Sequence, residues 1–291
     1  MAAPALGRID DGKLARFIPL WESVDMAAVV TDRLVLCYHA VSERLPAALS
    51  VTPEALEWQL NWLRRHGYES STFTEIERNG RGRRVAISFD DAYRSVLEYA
   101  EPLLREYGYA GTLFVPTDYV GQKTPMRWPG IDQWYGTEYE DEFLALGWDG
   151  ISELAGRGWE IGSHTCSHPR LTELRDAELE DELVRSKAEC ERHLGVACET
   201  IAYPFGDHDL RVADFTRRAG YGAGAALASP VTSPFRYPRV GVYHLDHHRR
   251  FETKVSKSAR LAMRVRAGLA RQRERERRPA SSAAIETTRL A

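Results

Sequence analysis

No run of apolar residues in the 291-residue chain is long enough to cross a bilayer, and the patch Phe17 to Trp21 is too short for a signal-peptide core. The expected location is therefore the cytoplasm. No C-x-x-C pair occurs among Cys37, Cys166, Cys190 and Cys198, which excludes a zinc ribbon or a dithiol redox motif and leaves four thiols expected to be reduced and buried. Charge of one sign is also lacking: 39 basic against 42 acidic residues give a net charge of -3. Nucleic acid is not the expected partner, because its binders carry a basic excess. With 43% hydrophobic residues, the chain has material for one full core.

What is present is a regular alternation. Apolar runs at Leu34–Tyr38, Val85–Phe89, Thr112–Val115, Trp159–Gly162, Thr200–Tyr203, Gly222–Ala226 and Tyr237–Val242 read as strands. Between them lie helical periods, such as Leu56, Leu60 and Leu63, opened by Thr52-Pro53 and closed by Gly67. Val96, Ala100, Leu103 and Tyr107 share another helical face, with a kink expected at Pro102. Strands alternating with helices pair in parallel, so the expected class is α/β: a distorted parallel (β/α) barrel with about seven strands, an open doubly wound sheet being the alternative.

Domain limits follow composition. Residues 1–31 form an N-terminal extension and 32–250 the barrel, while residues 251–291 form a basic tail carrying seven surplus positive charges. In that tail Leu261, Val265 and Leu269 recur every four residues beside Lys254, Lys257, Arg260, Arg264 and Arg266. The pattern suits an amphipathic helix, either packed on the barrel or lying on an anionic membrane at its cytoplasmic side, followed by a disordered end at Pro279–Ala284.

Chemistry-bearing residues gather where the strands end. Ser88-Phe89-Asp90-Asp91 places two carboxylates after one strand; an acidic loop or helix cap would also account for them. His164 and His168, four residues apart after another strand, can converge on one ion. His39 and the turn Tyr203-Pro204-Phe205-Gly206 also follow strands, and in a parallel barrel these ends share the face where active sites sit. The stretch Met126–Trp148, long for a loop, carries Trp128, Trp134, Tyr135 and Trp148, which suit stacking on sugar rings or packing on the barrel.

Over residues 32–250 these motifs resemble the polysaccharide deacetylases, or family-four carbohydrate esterases, whose first two motifs read T-F-D-D and H-[ST]-x-x-H; Ser88–Asp91 and His164–His168 match closely. The resemblance implies Asp90 as general base and a metal held by Asp91, His164 and His168. The ion would be zinc, with cobalt, manganese or nickel as alternatives. It also implies an oxyanion donor at the Phe205 N–H. Substrate contacts are expected at Tyr203 and Pro204 of that turn and, from the aromatic content of the long loop, at Trp128 and Trp134. Many members carry an arginine where Ala202 stands here, so whatever orients Asp90 must come from elsewhere. Leu36-Cys37-Tyr38-His39 has the family's L-x-x-H pattern in an early position and makes His39 the expected general acid, with His244, His247 and His248 as rivals. The implied activity is removal of an acyl group, typically acetyl, from an amino sugar, free or carrier-linked. A deformylase, another amide hydrolase on the same barrel, or a non-catalytic sugar-binding scaffold at the membrane are the competing readings.

Overall fold

The first strand, β1 (Asp32–Tyr38), is buried along nearly its whole length, as its unbroken apolar sequence requires of a strand covered on both faces. Six more strands complete a ring with it: β5 (Arg83–Phe89), β6 (Gly111–Val115), β7 (Glu160–Ser163), β8 (Thr200–Ala202), β9 (Ala223–Leu227) and β10 (Tyr237–Gly241). All pair in parallel, and β1 closes the ring by pairing with both β5 and β10. The structure is a computed structural model that describes residues 32–78, 82–227, 233–263, 265 and 266. The expected parallel barrel of seven strands is what it contains.

Three short strands escape a periodicity reading. β2 (Ala40–Val41) and β3 (Ser50–Val51) form a separate two-stranded sheet. β4 (Glu69–Ser71) pairs with β5 at Arg84–Ala86, whereas β6 takes over the same edge at Ile87–Phe89. The short helix that follows β4, α2 (Phe73–Arg78), sends Phe73 and Ile76 into a cluster with Val35, Ala86, Phe114, Ala202 and Ala225. These are alternate strand residues on the inner face, so α2 stoppers the barrel from below.

The outer layer is helical. α1 (Pro53–Arg65) begins with the Thr52 hydroxyl accepting the Ala55 N–H and buries Leu56, Gln59, Leu60 and Leu63. The segment expected to kink at Pro102 behaves differently. A π-helical turn spans Val96–Ala100, and Pro102 lies in the first turn of α3 (Glu101–Glu106), where its missing N–H costs nothing. The wider turn shifts the phase of the apolar stripe, so Leu104 rather than Leu103 is fully buried.

Further round, α4 (Trp148–Gly156), α5 (Asp176–Leu194) and α6 (Leu210–Arg218) cover the wall. A further helix, α7 (His248–Val255), straddles the boundary placed after residue 250 and buries Phe251 and Val255, with Trp58 and Trp62 of α1 edge-on to Phe251; residues 257–263 are again helical. The start of the basic tail is thus barrel wall, and its charges are engaged there. Lys254 pairs with Asp246 and Arg260 with Asp32. Leu261 and Val265 are exposed, while Arg264, Leu269, the Pro279–Ala284 stretch and the extension 1–31 lie outside the described residues. No described helix is long and apolar enough to cross a membrane.

Candidate metal centre and active site

Parallel strands deliver their C-terminal ends to one rim, and there the backbone is strained. Six described non-glycine residues have positive φ; five of them, Asp91, Ala92, Thr165, His168 and Phe205, belong to the segments following β5, β7 and β8. Such conformations cost of order 1–3 kcal/mol each and persist where surrounding contacts force them. Here Glu182 of α5 accepts the Cys166 and Ser167 N–H groups at 2.8 and 3.0 Å, and the Thr117 N–H donates to Thr165 O at 3.0 Å. The loop holding both histidines is therefore clamped from two sides. Cys166 points out of it, towards Glu182 O.

Asp91, His164 and His168 converge. Asp91 Oδ1 lies 3.3 Å from His164 Nε2 and 3.4 Å from His168 Nε2, and all three side chains are buried. His164 Nδ1 donates to Ala202 O at 2.8 Å, which directs the Nε2 lone pair at Asp91. Asp91 Oδ1 makes no hydrogen bond among the described residues. Buried acceptors facing one another without a proton between them suit a cation, and one carboxylate with two imidazoles is a donor set for a divalent ion with open positions. Burial works against the Asp91 charge, but the adjacent His164 and His168 rings hold its pKa well below the carboxylate range.

Asp90, one residue earlier, is held by different means. Arg239 of β10 donates Nη1 to Oδ1 and Nη2 to Oδ2, each at 2.7 Å, and Nη1 also reaches Ser88 Oγ at 3.0 Å. Burial raises the Asp90 pKa, but the Arg239 charge, with His164 behind it, outweighs burial and brings it down to about 2. The carboxylate is thus ionised and fixed in orientation.

Above these residues opens a cavity of about 150 Å³, lined among others by His39, Asp90, Asp91, Trp128, His164, His168 and Phe205. Trp128 stacks on the His168 ring at 3.9 Å and Phe205 meets the same ring edge-on at 4.6 Å, so the second histidine is wedged between aromatics. Phe205 itself has φ +58 in the turn after β8.

A family model for polysaccharide deacetylases matches residues 77–224, half of the chain. This chain belongs to the polysaccharide deacetylase family. Among curated relatives, it is 26% identical to YxkH of Bacillus subtilis over 196 residues, which cover 65% of this chain and 62% of that protein. It is 24% identical to the poly-beta-1,6-N-acetyl-D-glucosamine N-deacetylase of Staphylococcus aureus over 198 residues, 64% of this chain and 63% of that one. The chain thus spans under two thirds of the length of these relatives. The deacetylase fold recurs in a solved polysaccharide deacetylase from Bacillus cereus, at TM-score 0.64 and 23% identity, over 77% of this chain and 69% of that one. A Streptococcus pyogenes deacetylase solved with acetate matches at TM-score 0.63 and 20% identity, over 77% and 97%.

Not every residue singled out in the sequence reaches the cavity. Trp134 does not line it and packs on Tyr139 and Phe143. Trp148 stacks on His193 of α5, and Tyr135 lies under Arg127. Tyr203 is buried in the wall, where its hydroxyl donates to Phe235 O and stands over Gly224, a position at which any β-carbon would collide with it. Pro204 is buried beside it and does not line the cavity. His39 lies in the cavity, whereas His244, His247 and His248 do not line it. Arg239 was missed by sequence reasoning, although an arginine inside the otherwise uncharged strand Tyr237–Gly241 is a readable signal for a buried carboxylate partner.

Proposed function

We propose that this chain hydrolyses the N-acyl amide of an N-acylated amino sugar, with acetyl as the acyl group and zinc as the ion. The observation that carries the reading is the placing of a cation-ready set, Asp91, His164 and His168, beside an ionised, doubly tethered Asp90 in one cavity. A divalent ion held there supplies Lewis acidity, activating water and polarising the amide carbonyl. Asp90 takes the proton of the attacking water; its orientation is fixed by Arg239, so little reorganisation accompanies the step. The Phe205 N–H donates to the developing oxyanion, a role Pro204 cannot fill. His39 protonates the departing amine from its place in the cavity wall.

A cavity of about 150 Å³ is smaller than the roughly 300–1,000 Å³ that engulf a drug-sized ligand, which suits one acylated ring end with the rest of the molecule outside. The named activity of the Staphylococcus aureus relative makes β-1,6-linked N-acetylglucosamine oligomers the first substrates to assay, with lipid- or nucleotide-linked N-acetylglucosamine next, as suits an enzyme of the cytoplasm.

The test pairs turnover with metal content. Asp91→Ala, His164→Ala and His168→Ala should each lose the ion and activity, whereas Asp90→Asn should keep the ion and lose at least about 10²-fold in turnover. Stoichiometric ion in all three triad variants would overturn the site, and faster release of formate than of acetate from matched substrates would favour a deformylase.

A further inference from the structure

Beside the triad lies a second cluster of ligand atoms for which the reaction above has no use as a set. Cys37 Sγ, a ring nitrogen of His39 and a carboxylate oxygen of Asp90 lie within 4.8 Å of one another. The Cys37 thiol donates to Asp90 Oδ2 at 3.3 Å, and His39 Nδ1 is buried without a hydrogen-bond partner among the described residues. We propose that Cys37, His39 and Asp90 form an inhibitory site for a thiophilic divalent cation, distinct from the Asp91, His164 and His168 site.

Three arguments support it. The donors are one sulfur, one imidazole nitrogen and one carboxylate oxygen, a set that selects zinc or cadmium over magnesium or calcium. The thiol proton already points at Asp90 Oδ2, so a cation taking its place inherits an aligned pair of ligands: the S–H bond breaks, a metal–sulfur bond forms and one proton leaves to solvent. Charge is compatible as well, because a Cys37 thiolate, Asp90 and Asp91 together balance Arg239 and the divalent ion of the first site, so the second ion meets no net positive charge.

Occupancy would take the base and the acid out of service together. Excess ion would then suppress an enzyme that the same element activates at lower concentration, giving a biphasic response to metal. The activity arm of this inference rests on the function proposed above, while the spectroscopic arm does not.

The experiment titrates the singly metal-loaded protein with cadmium, following thiolate-to-metal charge-transfer absorbance in the ultraviolet, proton release and turnover. Wild type should take a second equivalent with growing absorbance, release of one proton and loss of turnover, all reversed by a thiol chelator. Cys37→Ser, which keeps a donor towards Asp90, should bind the second ion at least ~10- to 100-fold more weakly and show no charge-transfer band. An unchanged band and affinity in Cys37→Ser would place the ion on Cys166, Cys190 or Cys198 and overturn the site. Should Cys37→Ser fold poorly, His39→Gln serves for the absorbance arm alone, where undiminished affinity would be equally fatal. Loss of turnover without a second bound ion would also overturn it, whereas a band with no measurable turnover in any sample would fault the proposed reaction and leave the ion site standing.

Discussion

Arg239 grips both oxygens of Asp90 across the barrel interior, with β1 intervening between their strands. Arg239→Met leaves a buried carboxylate without its partner, and a broken buried pair of this kind costs about 3–5 kcal/mol. Denaturant titration should show that loss, and the double variant Arg239→Met with Asp90→Asn should recover part of it, because the stranded charge is gone. The acid limb of the pH–rate profile should also move upward in Arg239→Lys if that variant retains turnover. Burial raises the Asp90 pKa and the bidentate partner lowers it from the ordinary value to about 2, so weakening the partner lets burial prevail. Full additivity of the two single-variant losses would show that the residues are not coupled.

His39→Ala should lower turnover of an acetamide far more than that of an activated acetyl ester of the same sugar, whose leaving group needs little protonation. Metal content should not change. Normal amide turnover in His39→Ala alongside an inactive His244→Ala or His247→Ala would transfer the role to the residues around α7.

Trp128 and Trp134 resemble each other in sequence, but only Trp128 stacks on His168 in the cavity wall. Trp128→Ala should weaken metal binding by about 10-fold, the lower end of what loss of a ligand-supporting partner costs, and raise KM. Trp134→Ala should leave both within error and lower only stability. Equivalent kinetic effects from the two would mean that the loop binds the sugar as a whole.

The pair Arg260 and Asp32 yields a stability prediction with a defined pH window. Burial acts to raise the Asp32 pKa, yet hydrogen bonds from Arg260 and Tyr68 bring it below the ordinary value. A carboxylate with depressed pKa contributes stability above its unfolded pKa of about 3.9 and loses that contribution as pH falls through the folded value. Arg260→Met should therefore cost about 1–2 kcal/mol at pH 7 and progressively less below pH ~4. Equal losses in melts at neutral and acid pH would assign the effect to packing.

The seven barrel strands and the rim position of the key residues were legible because buried parallel strands read as unbroken apolar runs and because function collects at their ends. Asp90, Asp91, His164 and His168 stood out by type and spacing. The rest was hidden for definable reasons. Arg239 meets Asp90 through strand closure, which brings together residues 149 positions apart and leaves no local pattern. The π-helical turn before Pro102 displaced the apolar stripe, β4 is too short to show a period, and α7 reads as basic tail because its two core residues are outnumbered by exposed polar ones.

The core that Phe73 and Ile76 form with Val35, Ala86 and Phe114 packs the barrel interior beneath the site. An acid fragment cut loose beside Asp91 in the proposed reaction has packed core behind it, and the sugar that delivered it still fills the cavity mouth. On the proposed reaction the amine product must leave first and the acid second, so added acetate should compete with incoming substrate while the free amino sugar, released earlier, inhibits in a different kinetic pattern.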